Sequence, residues 1–164
     1  MIKEPMTADG YRRVETELKR LKHEERPAVI KAIEEARAHG DLSENAEYHA
    51  AKERQAYVEG RVAELEDKIS RAEVIDLSTL TGTTVMFGAT VSVADEDTDE
   101  ESTYQIVGTE ESDIKQGRLS IASPLARALI GKSVGDSAEV STPKGPRSYE
   151  IISLRYEQAR PPAD

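Results

Sequence analysis

Two carboxylates separated by three positions are the residues of this chain best suited to chemistry. Asp41 and Glu44 follow Gly40 in the segment Arg37–Lys52, between two long helical patterns. Carboxylate oxygens are ligands for a hard cation such as Mg²⁺, but two of them rarely bind it unaided, so a partner or a substrate phosphate must complete the coordination. The same spacing is that of a helix-capping box, which would give both acids a purely structural role.

Three basic residues beside this pair, Arg37, Lys52 and Arg54, form a modest cationic patch. Cationic side chains next to metal-binding carboxylates can contact a nucleic acid backbone. The alternative is that all three are ordinary surface residues of a charged helix. The patch is therefore a candidate nucleic acid contact beside the candidate metal ligands.

The segment before the acids has the pattern of a long helix. Thr7 is placed to cap a helix that begins near Ala8, and apolar residues then recur at intervals of three and four. Pro27 predicts a kink or a local break, after which Ile30 and Ile33 resume the apolar register. This helix would lead directly into the segment that carries the acids.

The segment after the acids has the heptad pattern of a second helix. Gly40 predicts a left-handed stop for the first helix, and Asp41 is placed to cap the second. With a turn this short, the two helices must run antiparallel. We expect Tyr57 to pack at the seam rather than to stack on nucleic acid bases. The predicted seam residues are Tyr48, Ala51, Gln55, Val58, Val62, Leu65, Ile69 and Ala72.

The second half of the chain has the pattern of a small β-sheet. Alternating apolar residues predict a strand over residues 85–93, and the acidic run 95–101 predicts a hairpin loop before a returning strand near Tyr104. Ser123 and Pro124 predict a short helix that closes at Gly131. Three further short strands are predicted at residues 118–121, 138–141 and 149–156.

The predicted fold class is α+β. It consists of an N-terminal antiparallel α-helical coiled-coil hairpin followed by a small antiparallel β-sheet domain with one short helix. The expected division is an arm over residues 1–76, a linker over 77–84, the second domain over 85–158 and a frayed tail over 159–164.

Composition and charge restrict the class of partner. The 164 residues carry 22 basic and 32 acidic side chains, for a net charge of −10. This is not the basic footprint of a protein that binds duplex nucleic acid by itself, so a partner protein is the expected docking surface. The absence of cysteine is compatible with the reducing cytoplasm, where we expect the protein to act. No apolar run reaches the length of a membrane span, so no membrane association is expected.

The whole chain resembles the Gre family of bacterial transcript-cleavage factors. The likeness rests on GDLSENAEYHAAKE at the turn and on AEVID, FGATV, YQIVG and SPLARALIGKSVGD further along the chain. It implies a coiled-coil arm that enters the secondary channel of bacterial RNA polymerase. It also implies a C-terminal domain of FKBP-like fold that docks at the rim of that channel.

The resemblance also implies roles for the candidate site residues. Asp41 and Glu44 would reach the polymerase active centre and help to hold its second Mg²⁺ and a water, and Arg37, Lys52 and Arg54 would contact the backtracked RNA 3′ end. The polymerase would then hydrolyse the 3′ segment of that RNA. The protein would act as a monomer, with no cofactor and no hydrolytic activity of its own. The family includes an inhibitory homologue with a more densely acidic turn, so two acids favour the cleavage-promoting form.

Two other classes of function stay open at this point. The FKBP-like domain could be a peptidyl-prolyl isomerase, although such enzymes need an aromatic-lined apolar pocket and this half of the chain has few aromatic residues. The hairpin could also be a purely structural adaptor in which Asp41 and Glu44 serve only as caps.

Overall fold

The computed structural model describes residues 2–80 and 82–157 of the chain. Two compact units are present: residues 11–72 form the first, and residues 2–10 together with the chain from residue 73 onward form the second. The first unit is helical and the second is built around a β-sheet, so the predicted α+β class is confirmed. The predicted tail at 159–164 lies outside the described residues.

The first unit is an antiparallel helical hairpin, as predicted. Its elements are α1 (Ala8–Arg20), α2 (Arg26–Arg37) and α3 (Ala46–Arg71), with a π-helical turn at Leu21–Glu25 between α1 and α2. Thr7 caps α1 as expected, because its hydroxyl oxygen accepts a 3.0 Å hydrogen bond from the N–H of Gly10. We call these three helices with their connecting turns the hairpin, and residues 38–45 its tip.

The interruption predicted at Pro27 is confirmed, but it takes the form of the π turn immediately before the proline. The N–H of Arg26 donates to the carbonyl oxygen of Leu21, five residues back. The wider turn adds one residue to the helical repeat, and Pro27 then lies in the first turn of α2, where its missing N–H costs little. Because the register shifts by one residue, Val29 is buried and Ile30 is 45% exposed, so the seam role predicted for Ile30 is wrong.

The face of α3 that packs against α2 confirms the predicted seam in the middle part of the helix. Val58, Val62 and Leu65 are almost fully buried, and Ala51 is buried closer to the tip. Leucine and valine at this spacing stabilise the hairpin by burying apolar surface against α2 and the π turn.

The second unit contains two sheets. A two-stranded sheet pairs β1 with β2, and a five-stranded sheet has the order β5-β4-β3-β7-β6, with one helix, α4. No strand was expected at β1 or at β2, and Ala72, predicted as a seam residue of the second helix, is instead the first residue of β2. The bounds are Glu4–Thr7 for β1, Ala72–Ile75 for β2, Ala89–Asp95 for β3, Glu101–Val107 for β4, Arg118–Ser120 for β5, Pro124–Leu129 for α4, Ser137–Thr142 for β6 and Gly145–Tyr156 for β7.

Two details of the larger sheet differ from the sequence prediction. β5 pairs with β4 in parallel, so the sheet is not wholly antiparallel. The connection over residues 108–117 is long enough to return the chain to the same end of the sheet. β3 begins at Ala89 rather than Val85, because Gly88 adopts a left-handed φ of 87° directly before it. Val85 is nevertheless fully buried in the core.

The core of the second unit depends on a bulge in β7. Ser92 pairs with Ser153, whereas Val93 pairs with Ile151, so Ile152 has no partner across the strands. An extra residue reverses the alternation of side chains along a strand. Ile151 and Leu154 therefore lie on the same core-facing side.

None of the helices in the described ranges has the length and apolar character needed to cross a membrane.

Candidate functional site: the tip of the hairpin

The turn at the tip begins where α2 ends at Arg37. The N–H of His39 donates to the carbonyl oxygen of Ala36 (3.2 Å), and the N–H of Gly40 donates to that of Arg37 (3.3 Å). Gly40 has a φ of 111°, a left-handed conformation that favours glycine. The predicted helix stop at Gly40 is confirmed.

The helix after the turn is capped by Asn45, not by Asp41. The side-chain oxygen of Asn45 accepts a 3.0 Å hydrogen bond from the N–H of Tyr48, and α3 begins at Ala46. The predicted capping box of Asp41 and Glu44 is therefore wrong, because α3 starts after Glu44. An asparagine directly before the helix was the available signal, since Asn is as good an N-cap residue as Asp.

Asp41 instead organises the turn itself. Its Oδ1 atom accepts hydrogen bonds from the N–H (3.0 Å) and from the hydroxyl (2.9 Å) of Ser43. Both bonds end on the same carboxylate oxygen. Within the described ranges, the Oδ2 atom of Asp41 has no hydrogen-bond partner, so this oxygen is available for another ligand.

Asp41 and Glu44 line one open depression at the tip. His39, Asn45, Ala46 and Glu47 complete its lining. Both acids are exposed, and the Glu44 carboxylate makes no ion pair or hydrogen bond within the part of the chain that the structure describes. The turn thus presents two carboxylates to a common space outside the protein.

The donor set at the tip fits a hard divalent cation in part. Carboxylate oxygens are suitable ligands for Mg²⁺, which also takes waters and phosphate oxygens from outside the protein. Across residues 2–80 and 82–157, no group of three or more His, Asp or Glu side chains is arranged to hold a metal ion. A cation held by Asp41 and Glu44 would therefore need its remaining ligands from another molecule.

The three basic residues near the tip lie outside this depression. The guanidinium of Arg37 lies over the ring of Tyr48, 5.9 Å from its centroid. Lys52 donates to the side-chain oxygen of Gln55 at 3.1 Å. Both cations are exposed on the surface of the hairpin, where an approaching anion can reach them.

Arg54 has a different environment from the other two basic residues. It forms an ion pair with Glu25 of the π turn at 3.0 Å, and its guanidinium lies over the ring of Tyr57, 5.1 Å from the centroid. The hydrogen bonds from Arg54 and Arg20 hold the pKa of Glu25 below its usual value. Tyr57 is 57% exposed, so its predicted seam packing is wrong. It adjoins Val58, which occupies the seam position, and so projects to the surface.

Three of the four aromatic residues of the second unit pack against its core. Tyr104, Tyr149 and Tyr156 pack against the buried cluster, and the hydroxyl of Tyr156 donates to the carbonyl oxygen of Thr84 at 2.8 Å.

A helical hairpin with an acidic tip and a following β-sheet unit is matched by two family profiles. Residues 4–74 match the profile described as "Transcription elongation factor, N-terminal", and residues 80–156 match "Transcription elongation factor, GreA/GreB, C-term". Together they span most of the sequence. The chain belongs to the GreA/GreB family of transcription elongation factors.

Two GreA proteins agree with this assignment. The chain is 65% identical to transcription elongation factor GreA of Beijerinckia indica subsp. indica, over 96% of this chain and 100% of that one. It is 66% identical to GreA of Caulobacter sp. strain K31, over 95% and 99% of the two chains. Among solved structures, GreA factor homolog 1 (Gfh1) of Thermus thermophilus is 29% identical over 93% of this chain and 99% of that one, with a TM-score of 0.43.

Proposed function

We propose that this elongation factor inserts its hairpin into the secondary channel of bacterial RNA polymerase and stimulates endonucleolytic cleavage of backtracked RNA, which rescues arrested elongation complexes. The observation that carries the proposal is the joint exposure of Asp41 and Glu44 on one depression at the tip. The polymerase performs the hydrolysis, and this chain contributes the two carboxylates.

The dimensions and charge of the protein support this mode of action. α3 has 26 residues, which corresponds to about 39 Å at 1.5 Å per residue. A hairpin of this length can carry its tip to a recessed active centre. The net charge of −10 suits a factor that docks on a protein rather than on nucleic acid. In this proposal the second unit docks at the rim of the channel, and the protein acts as a monomer in the cytoplasm.

The chemistry at the tip follows from its hydrogen bonds. The two bonds from Ser43 occupy the Oδ1 atom of Asp41, so Oδ2 remains able to bind a ligand from outside the chain. Glu44 supplies a second carboxylate that can accept a hydrogen bond from the attacking water. Magnesium in a two-metal centre stabilises both the attacking and the leaving oxygen of the displacement. Asp41 and Glu44 would help to hold the second Mg²⁺ of the polymerase active centre, together with ligands from the polymerase.

The proposed role of the basic patch is to contact the RNA. Arg37 and Lys52 are exposed near the tip, where an extruded 3′ segment would present its phosphates. Arg54 is already paired with Glu25, so its contribution to RNA binding would require exchange of that ion pair.

The decisive experiment measures cleavage of RNA in a stalled, backtracked elongation complex with and without the full-length protein. We expect the protein to accelerate release of the 3′ fragment in a Mg²⁺-dependent manner and to cleave no RNA without polymerase. An unchanged cleavage rate at saturating protein would contradict the proposal. A proline-isomerisation assay on the full chain tests the alternative enzyme activity, and we expect no acceleration there.

A further inference from the structure

The side chain of Asn45 bonds to both helices of the hairpin at once. Its Oδ1 atom accepts from the N–H of Tyr48 in the first turn of α3 (3.0 Å), and its Nδ2 atom donates to the carbonyl oxygen of Ala36 in the last turn of α2 (2.7 Å). Ala36 is itself buried in the seam. One half-buried amide therefore bridges the end of one helix and the start of the next.

This bridge uses backbone groups from the end of one helix and the start of the next. The first N–H groups and the last carbonyl groups of an α-helix have no intrahelical bond. The amide of Asn45 can bond to one group of each kind, because it carries an acceptor and a donor on separate atoms. It is the partner of the Tyr48 N–H, and it is a second donor to the Ala36 carbonyl oxygen, which also accepts from the N–H of His39. An ionised Asp has acceptors only, and Ser carries both functions on one oxygen close to its own backbone. Both residues cap helices well, but neither can make the same bridge.

The bridge joins the two ends of the loop that carries the two acids. Residues 37–44 lie between Ala36 and Asn45, so the bond from Nδ2 limits how far the ends of this segment can separate. Glu44 directly precedes the bridging residue. The Nε2 atom of His49 lies 3.3 Å from the carbonyl oxygen of Ser43, which adds a second link from α3 to the same segment.

From this geometry we infer that Asn45 is a positioning residue for the carboxylates of Asp41 and Glu44, acting through its donor bond to Ala36 rather than through its capping bond to Tyr48. The inference rests on the proposed function. A misplacement of about 1 Å can reduce a reaction rate about 100-fold. Loss of the donor bond should therefore reduce cleavage even when the helix cap is kept.

The test compares Asn45→Ser and Asn45→Asp with the wild type in the full chain. Both variants keep a good cap and lose the donor to Ala36, and Asn45→Ser adds no charge. Ala50→Ser, an exposed change on α3, is the matched control. The cleavage rate in backtracked complexes is measured against factor concentration, helix content by circular dichroism, and amide hydrogen exchange over residues 38–45.

We expect both Asn45 variants to reduce the cleavage rate at saturating factor by about tenfold or more. We also expect the half-saturating concentration to stay within about twofold of the wild type, because the docking surfaces are unchanged. Exchange over residues 38–44 should become faster while helix content is kept. The control should behave like the wild type in every measurement.

Three results would overturn the inference. One is a saturating rate equal to that of the wild type in either folded variant. Another is a loss of activity that tracks lost helix content or a raised half-saturating concentration, since Asn45 would then serve folding or docking alone. The third is unchanged hydrogen exchange in the variants, which refutes the positioning role by itself. If Asn45→Ser fails to fold, Asn45→Asp decides. A wild-type protein without any effect on cleavage refutes the proposed function instead.

Discussion

The backbone N–H of Thr7 donates a 3.0 Å hydrogen bond to the carboxylate of Glu111, 104 positions along the chain. The hydroxyl of Thr7 donates to the other carboxylate oxygen, and the N–H of Gly108 donates a further 3.0 Å bond. Glu111 is only 5% exposed. A buried carboxylate is tolerated because it receives several donors. This network ties residues 2–10 to the rest of the second unit.

The first prediction concerns two glycines in helices. A Cβ added at Gly10 would overlap the Glu111 side chain, whereas one added at Gly60 meets nothing within 4 Å. Gly60→Ala should stabilise the protein by about 0.5–1 kcal/mol, since alanine is the better helix former. Gly10→Ala should destabilise it by about 1–3 kcal/mol, because displacing Glu111 leaves buried donors unpaired.

Urea unfolding of the two glycine variants, monitored by circular dichroism, checks this prediction. Each variant is the control for the other, because both make the same substitution inside a helix. Stabilisation by Gly10→Ala would mean that the Glu111 network contributes nothing.

The second prediction concerns the acids at the tip. Asp41→Asn and Glu44→Gln should each reduce stimulated cleavage by roughly 100-fold, because a well-placed electrostatic group contributes about that much to a rate. Asn at position 41 can still accept both bonds from Ser43, and Asn45 remains the cap. The hairpin should therefore stay folded and polymerase binding should be unchanged.

Cleavage rates and polymerase affinity are measured together for these variants, with the exposed Glu53→Gln as the control. If both tip variants cleave at the wild-type rate, the carboxylates do not take part in the reaction.

The third prediction concerns the basic patch. Replacing Arg37 and Lys52 by Ala should weaken action on complexes with extruded RNA more than binding to free polymerase. Each lost phosphate contact on a single strand should reduce the slope of log activity against log salt by about 0.7. Cleavage rate against salt concentration gives this slope directly.

Lys31→Ala is the matched control for the patch, because Lys31 is an exposed cation of α2 outside it. Equal rates and parallel salt curves for the wild type and the double variant would exclude RNA contact by Arg37 and Lys52.

The fourth prediction concerns pH. The N–H of Asp97 lowers the pKa of Asp95, assisted by Arg147 and the N–H of Thr98 against the opposing effect of burial. Arg147 lies 2.7 Å from Asp95. Because the folded state favours the ionised form, this stabilisation is present above the usual pKa of about 3.9 and is lost as the pH falls through the lower folded-state pKa.

Asp95→Asn should therefore lower the urea midpoint at pH 7 and show a smaller further decrease at pH 3 than the wild type. Glu101→Gln, an exposed change on β4, should retain the wild-type pH dependence. The prediction fails if the Asp95 variant loses as much stability between pH 7 and pH 3 as the wild type does.

The hairpin and the position of its acids could be predicted from the sequence, because both depend on local signals. Apolar periodicity specifies which face of α3 is buried, and Gly40 adopts a conformation that other residues avoid. A short turn between two helices then places Asp41 and Glu44 at the tip. The family motif at the turn supported the same assignment and led to the function proposed for these residues.

The residues that make the bonds around the acids could be identified only in the folded chain. The predicted cap was Asp41, but the observed cap is Asn45, because α3 begins only at Ala46. Helix ends are set by packing as well as by propensity. Because the π turn shifts the helical register, Val29 is buried in the seam where Ile30 was predicted.

Contacts between distant parts of the chain could not be predicted from sequence periodicity either. The bond between Thr7 and Glu111 and the bulge at Ile152 both depend on which segments meet in the folded chain. A periodic pattern reports which side of an element is buried, whereas a hydrogen-bond partner or a strand register is chosen by the fold as a whole.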